Sequence, residues 1–190
     1  MGLQIDRSFV CHGALGIAIF AGAAFAQPEV PDAHFVIVQT SIRVAGLTSA
    51  EMRQIKAEVE KTSFDTPDSW EDELRARRVS SGASEMLVVR GVRLLCGGTG
   101  NCQVWVFVRL KNQWKPTIAQ QAPIASGLAF EDEANNGVSN LVLVADLGGG
   151  KDRYTRYRFD GKFYRPEECL DVEASDDPSG EPKVTKVRCE

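Results

Sequence analysis

Cysteines give this sequence its first candidates for chemistry. Cys96 and Cys102 bracket the glycine-rich stretch CGGTGNC, and Cys169 and Cys189 lie near the C-terminus. A zinc site would need the closer C-x2–4-C spacing, and a thioredoxin-like redox pair would need C-x-x-C at the start of a helix. The cysteine spacing therefore favours neither a metal centre nor a dithiol catalyst.

Acidic residues are the second set of candidates. The stretch EDEANNG spans 131–137, and Asp146 follows the apolar run LVLVA. Two neighbouring carboxylates can act as general acid and base, so a hydrolase that uses Asp146 and the 131–133 loop is one hypothesis. The loop could also offer oxygen atoms to calcium, but an EF-hand alignment that starts at Asp132 puts Ala134 at a ligand position. We expect a solvated acidic turn at this point.

Other catalytic patterns are incomplete. His34 is the only histidine after residue 26, and no G-x-S-x-G nucleophile elbow accompanies it. The run GGGK at 148–151 resembles the end of a phosphate-binding loop, but Asp152 stands where serine or threonine is required, so we expect a hairpin turn. The sequence therefore assigns no catalytic, cofactor-binding or metal-binding residue, and we expect no cofactor.

Tyrosine and arginine are interspersed in the stretch YTRYRFDGKFY at 154–164. Both residue types are enriched at protein interfaces, where they combine contact area with hydrogen-bonding groups. The sequence therefore predicts a protein-contact patch formed by Tyr154, Arg156, Tyr157 and Arg158.

The N-terminus determines the compartment in which these residues act. Residues 9–26 form an apolar run that is preceded by Arg7 and ends in Ala-Phe-Ala. This pattern predicts a secretory signal peptide over residues 1–26, because the run is shorter than the roughly 20 residues of a membrane anchor. We expect a periplasmic or secreted protein with no membrane span after cleavage.

Export changes what the cysteines imply. Four of them remain after residue 26, and an even number in an exported chain predicts disulfides. Only turn-forming residues separate the first two, so we favour nearest-neighbour pairing, Cys96 with Cys102 and Cys169 with Cys189. The net charge of −4 and the lack of a basic run argue against a nucleic-acid partner.

One amphipathic helix is predicted near the start of the mature chain. Thr48 and Glu51 have the spacing of a capping box, and Met52, Ile55 and Val59 follow at helical intervals. These features predict a helix over about 49–62. Its apolar stripe is narrow, so we expect it to lie on a sheet.

The rest of the chain is β in character. Short apolar runs occur at 35–38, 86–89 and 141–145, and the stretch QVWVFVRL at 103–110 is apolar on both faces. The last pattern predicts a central strand that is covered on both sides. Asp160-Gly161, between aromatic-rich arms, predicts a hairpin.

We expect an α+β fold, mainly an antiparallel sheet of about eight short strands with one N-terminal helix. A single domain over 27–172 should follow the signal peptide. Residues 173–190 are charged and rich in proline, glycine and serine, which predicts a mobile tail that Cys189 could tie down.

Several stretches together resemble a group of uncharacterised small exported bacterial proteins. They are the CG-x-TGNC loop leading into VWVF, the segment LVLVADLG and the ending YRFDGKFYRPEEC, which together span about residues 80–169. The resemblance implies an exported β-rich domain and supplies no activity or catalytic residue. From the whole sequence we expect a non-catalytic binding module for a protein or cell-envelope ligand, with the hydrolase above as the alternative.

Overall fold

The computed structural model describes residues 33–63, 69–81, 83–118, 121–175, 177 and 179–189. The predicted signal peptide, residues 1–26, lies outside the described residues. Within them, no helix is both long and apolar enough to cross a membrane.

Two antiparallel sheets make up most of the fold. The first has the order β1-β7-β8-β9-β10-β11, and the second has the order β2-β3-β4-β5 with β6 paired to β4. Every pairing between described strands is antiparallel. The elements are β1 His34–Phe35, α1 Ser49–Thr62, β2 Leu74–Ser81, β3 Ser84–Gly91, β4 Cys102–Leu110, β5 Gln113–Pro116, β6 Ile124–Ala125, β7 Gly127–Asn135, β8 Val138–Gly148, β9 Lys151–Phe159, β10 Tyr164–Glu173 and β11 Lys183–Val187.

The two sheets and the helix form three layers around two apolar cores. The inter-sheet core lies between the sheets and contains residues of both, including Met86, Val106, Leu128, Leu141 and Phe159. The helix-side core lies between α1 and the other face of the second sheet, and it contains Ile55, Val59, Leu87, Trp105 and Trp114. The second sheet is therefore the middle layer.

Helix α1 has the predicted bounds and the predicted cap. Glu51 N–H donates to the Thr48 hydroxyl at 3.2 Å, and Thr48 N–H donates to the Glu51 carboxylate at 2.8 Å. Ile55 and Val59 are fully buried, so the narrow stripe packs on the sheet. The prediction that the helix is N-terminal is wrong, because β1 precedes it and belongs to the other sheet.

Strand β4 is the central, doubly covered strand that its sequence predicts. Val104, Val106 and Val108 belong to the inter-sheet core, whereas Trp105 and Phe107 belong to the helix-side core. Alternation along a strand sends successive side chains to opposite faces, so an apolar residue at every position requires a partner layer on each side.

The structure has eleven strands among the described residues, not about eight. Residues 131–135, expected in an acidic turn, continue β7, and the turn itself is Asn136-Gly137 with φ values of 52° and 77°. Two positive φ values in a two-residue loop define a type I′ hairpin turn, which Asn-Gly favours. Gly149-Gly150 makes a second turn of this kind, so the GGGK run is the predicted hairpin turn.

The C-terminal segment contains a strand that its composition does not predict. Residues 183–187, within the segment expected to be mobile, form β11, which pairs with β10 from Cys169 to Glu173. Cys189 lies at disulfide distance from Cys169, with Cα atoms 5.4 Å apart. The free edge of β10 provides backbone partners that composition does not reveal.

Candidate functional site

The CGGTGNC loop holds the two sheets together at one end. Cys96 and Cys102 lie at disulfide distance, as predicted from their spacing. Inside the loop, Asn101 is almost fully buried, and its side-chain amide reaches β8 of the other sheet. It donates to the Asp146 carbonyl at 2.7 Å and accepts from the Asp146 N–H at 2.8 Å. The loop therefore fixes the distance between the sheets at this end.

A short segment connects the two sheets. Residues 36–40, here called the crossing segment, leave β1 in the first sheet and reach β2 in the second. Val36 N–H donates to the Leu128 carbonyl at 2.8 Å, and Ala76 N–H donates to the Thr40 carbonyl at 2.8 Å. Both ends of the segment are thus anchored, each to a different sheet.

A cleft of about 240 Å³ lies between the crossing segment and the two sheets. Its apolar walls come from Val36 and Val38 on the segment and from residues of β3, β4, β6 and β7. Its polar groups are Gln39, Arg90 and Ser126. A concave cavity that combines apolar side chains with a few polar groups can hold a small ligand. We call it the inter-sheet cleft.

Of the described residues that line the inter-sheet cleft, Arg90 is the one that carries a charge. It lies opposite Val104 in the β3–β4 register, and therefore on the same sheet face as Val88 and the inter-sheet core. One guanidinium N–H donates to the Gly100 carbonyl of the CGGTGNC loop at 3.3 Å. The side chain is half-buried and forms no ion pair with any described residue. Its positive charge is left for a ligand or for water.

The predicted protein-contact residues do not share one surface. Tyr157 turns inward and packs against the inter-sheet core, where burial raises the pKa of its phenol. Tyr154, Arg156 and Arg158 are on the opposite face of β9, since their positions differ from that of Tyr157 by odd numbers. Tyr157 therefore lies apart from the other three predicted contact residues, because a strand presents consecutive residues to opposite sides.

The two arginines among the outward residues are engaged within the chain. Arg156 donates to Glu131 at 2.8 Å and to Glu133 at 2.7 Å. Arg158 donates to Asn135 at 2.9 Å. For these residues a protein-contact role stays a prediction, and their own ion pairs would compete with a partner.

The acidic residues of the hydrolase hypothesis do not converge. Glu131 is buried and accepts hydrogen bonds from Arg156 and from Asn140 of β8, each at 2.8 Å. Asp146 lies six residues beyond Asn140 on the same strand, roughly 20 Å away at about 3.3 Å per residue. Its carboxylate accepts from Gly148 N–H at 2.6 Å. Two carboxylates at that separation cannot act on one scissile bond.

A second cluster, on the helix side, surrounds Trp114. The ring is fully buried, and its indole N–H donates to the Glu51 carboxylate at 2.9 Å. The guanidinium groups of Arg78 and Arg109 lie 5.5 Å and 5.4 Å from the ring centre. Both guanidinium groups donate to Glu85. These hydrogen bonds, first that from Arg109 and then that from Arg78, hold the pKa of Glu85 below its ordinary value. We call these five residues the Trp114 cluster, and its charges are matched.

Sequence patterns missed Arg90, although a signal was present. Arg90 comes directly after the apolar run at 86–89 and is two positions from Val88. Period-two alternation therefore places Arg90 on the face of Val88. That face turns out to be the inter-sheet face, which a single sequence does not reveal.

No group of three or more histidine, cysteine, aspartate or glutamate side chains is placed to hold a metal ion within the described part of the chain. Comparison of the chain with protein-family models, with curated proteins and with solved structures gives no match. The geometry of the chain itself is therefore the basis for any functional assignment.

Proposed function

We propose that this protein is an exported, non-catalytic binding module whose ligand occupies the inter-sheet cleft. The observation that carries the proposal is the cleft itself, about 240 Å³ of space that apolar and polar side chains line beside a five-residue crossing segment. An apolar ligand there would remove wall residues such as Val38 and Leu128 from water, which is the main favourable term in binding.

The lining favours binding over chemistry. Among the described residues that line the cleft, none is an aspartate, glutamate, histidine, cysteine or lysine. Ser126 has a hydroxyl, but it donates to the Val144 carbonyl at 3.0 Å and has no neighbouring base among the lining residues. Nucleophilic catalysis needs such a base.

Two cysteine pairs at disulfide distance are typical of an oxidising, non-cytoplasmic environment. This supports the export that the predicted signal peptide implies. A protein of the periplasm or of the medium could take its ligand from the cell envelope.

The test is saturable binding of a neutral apolar dye, Nile red, with a variant that fills the cleft. Val38→Trp adds a ring from the crossing segment, where Val38 faces the inter-sheet core. We expect one dye molecule to bind to each wild-type chain. Val38→Trp should bind the dye at least about tenfold more weakly. Val44→Trp is the matched control, because Val44 is 71% exposed and lies outside the cleft lining. It should bind like the wild type.

The proposal fails if the wild-type chain shows no saturable dye binding, or if both tryptophan variants bind equally. Should Val38→Trp not fold, hydrogen exchange on the wild-type chain decides. Bound dye should slow exchange of the amides of the crossing segment more than those of β11, and equal protection would contradict the proposal.

A further inference from the structure

We infer that the inter-sheet cleft selects a carboxylate with an unbranched apolar chain, and that Arg90 binds the carboxylate. This inference rests on the proposed function, since it names the ligand class for the same cleft. It goes further because it assigns the specificity to one residue.

The charge balance of the half-buried arginines supports this assignment. Arg78 and Arg109 donate to Glu85 at 3.0 Å and 2.9 Å, and Arg153 donates to Asp171 at 2.7 Å. Arg90 and Arg75 are half-buried in the same way, yet neither forms an ion pair with a described residue; Arg75 donates to two backbone carbonyls and lies outside the cleft lining, whereas Arg90 donates to one and lines the cleft. An anion is the ligand group that this guanidinium lacks.

The hydrogen-bonding capacity of Arg90 is also largely unused. A guanidinium has five N–H donors in a fork that fits the two oxygens of a carboxylate. The Gly100 carbonyl accepts from one of them at 3.3 Å, which orients the group without consuming the fork. Gln39 and Ser126 are the other lining residues with polar side chains.

The apolar walls provide a surface for the tail. Val36, Val38, Val88 and Leu128 supply hydrocarbon around the cleft, and among the described residues that line it Arg90 is the one with a charge. A hydrocarbon chain can therefore lie against these walls while its carboxylate reaches Arg90, and octanoate is a convenient probe of that arrangement.

The experiment compares octanoate, octanol and octylamine as competitors of Nile red at neutral pH. The three share one tail and differ in the charge of the head. We expect octanoate to bind at least about tenfold tighter than octanol, and octylamine to bind weakest. Arg90→Gln should abolish the preference for octanoate while octanol binding stays unchanged, and Arg90→Lys should restore part of it.

A matched control removes the same charge elsewhere. Arg53 is exposed on α1 and lies outside the cleft, so Arg53→Gln should keep the octanoate preference. If Arg53→Gln reduces the preference as much as Arg90→Gln, the net charge of the chain explains the selectivity and the inference is overturned.

The remaining outcomes separate this inference from the proposed function. Equal binding of octanoate and octanol by the wild type, both blocked by Val38→Trp, would refute the carboxylate preference and leave the binding cleft intact. No competition together with no dye binding would refute both. If N-acetyl-Leu-Leu binds more tightly than octanoate, the inferred ligand class is wrong and the ligand is instead the C-terminus of a protein.

Discussion

The Trp114 cluster and the inter-sheet cleft use arginine in opposite ways. In the Trp114 cluster, Arg78 and Arg109 lie over a buried ring and share Glu85, so each charge has a partner. In the cleft, Arg90 lies beside apolar walls with a single carbonyl contact. In the first region the arginine charges are neutralised within the chain, whereas in the second the charge of Arg90 has no carboxylate partner among the described residues and can be matched by a ligand.

Replacing Trp114 with alanine should have the largest effect on this comparison. The substitution removes a fully buried ring and the hydrogen bond from its indole N–H to the Glu51 carboxylate. We therefore expect a loss of about 3–5 kcal/mol in the free energy of unfolding. Urea unfolding measures the loss. Leu94→Ala, at a side chain that is 73% exposed, is the control and should stay within about 0.5 kcal/mol. A loss below about 1 kcal/mol for Trp114→Ala would remove the structural role assigned to the cluster.

Replacing both Cys96 and Cys102 with serine should have the next largest effect. The pair closes a short loop, and chain entropy predicts a loss of about 2 kcal/mol in the free energy of unfolding. The loop does not line the cleft, so Nile red affinity should change by less than about twofold. Lost dye binding with an unchanged melting temperature would instead make the loop part of the site.

Removing one arginine from each region tests the comparison directly. Arg109→Gln leaves Glu85 with one arginine fewer and removes a cation over Trp114, so we expect a loss of about 1 kcal/mol in unfolding free energy. Arg90→Gln breaks no ion pair with a described residue and should stay within about 0.5 kcal/mol. Equal losses would show that Arg90 is also a structural residue.

The dependence of stability on pH should show the smallest difference. The pKa of Glu85 lies below its ordinary value of 4.5 in the folded chain, because Arg109 and Arg78 hydrogen-bond to the carboxylate. The folded state therefore binds protons less readily, so this stabilisation is present above the ordinary value and disappears as the pH falls through the folded pKa.

Glu85→Gln should accordingly flatten the fall in stability between about pH 5 and about pH 3. Arg90→Gln should leave that slope unchanged, since Arg90 has no described carboxylate partner. Urea midpoints measured across this pH range give both slopes. A slope that changes with Arg90→Gln would mean that this arginine pairs with a carboxylate after all.

Local patterns predicted the elements whose signal is complete within a few residues. The capping box at Thr48 and Glu51 defined the start of α1, and the alternating valines and aromatics defined β4. Asn136-Gly137 is also a complete local signal, since Asn-Gly favours a two-residue hairpin turn, although the acidic residues before it predicted a solvated turn over the whole stretch. Strand β11 had no such signal, since its pairing depends on the exposed edge of β10.

The sequence by itself determined the helix, the central strand, the cysteine pairs and the absence of a complete catalytic motif. Each of these follows from spacing along the chain, which fixes local geometry. Only the tertiary structure decided that Tyr157 faces the core, that Glu131 and Asp146 lie far apart, and that Arg90 borders an apolar cleft. Those facts depend on which face of each strand meets the other sheet, and alternation alone leaves that choice between two faces open.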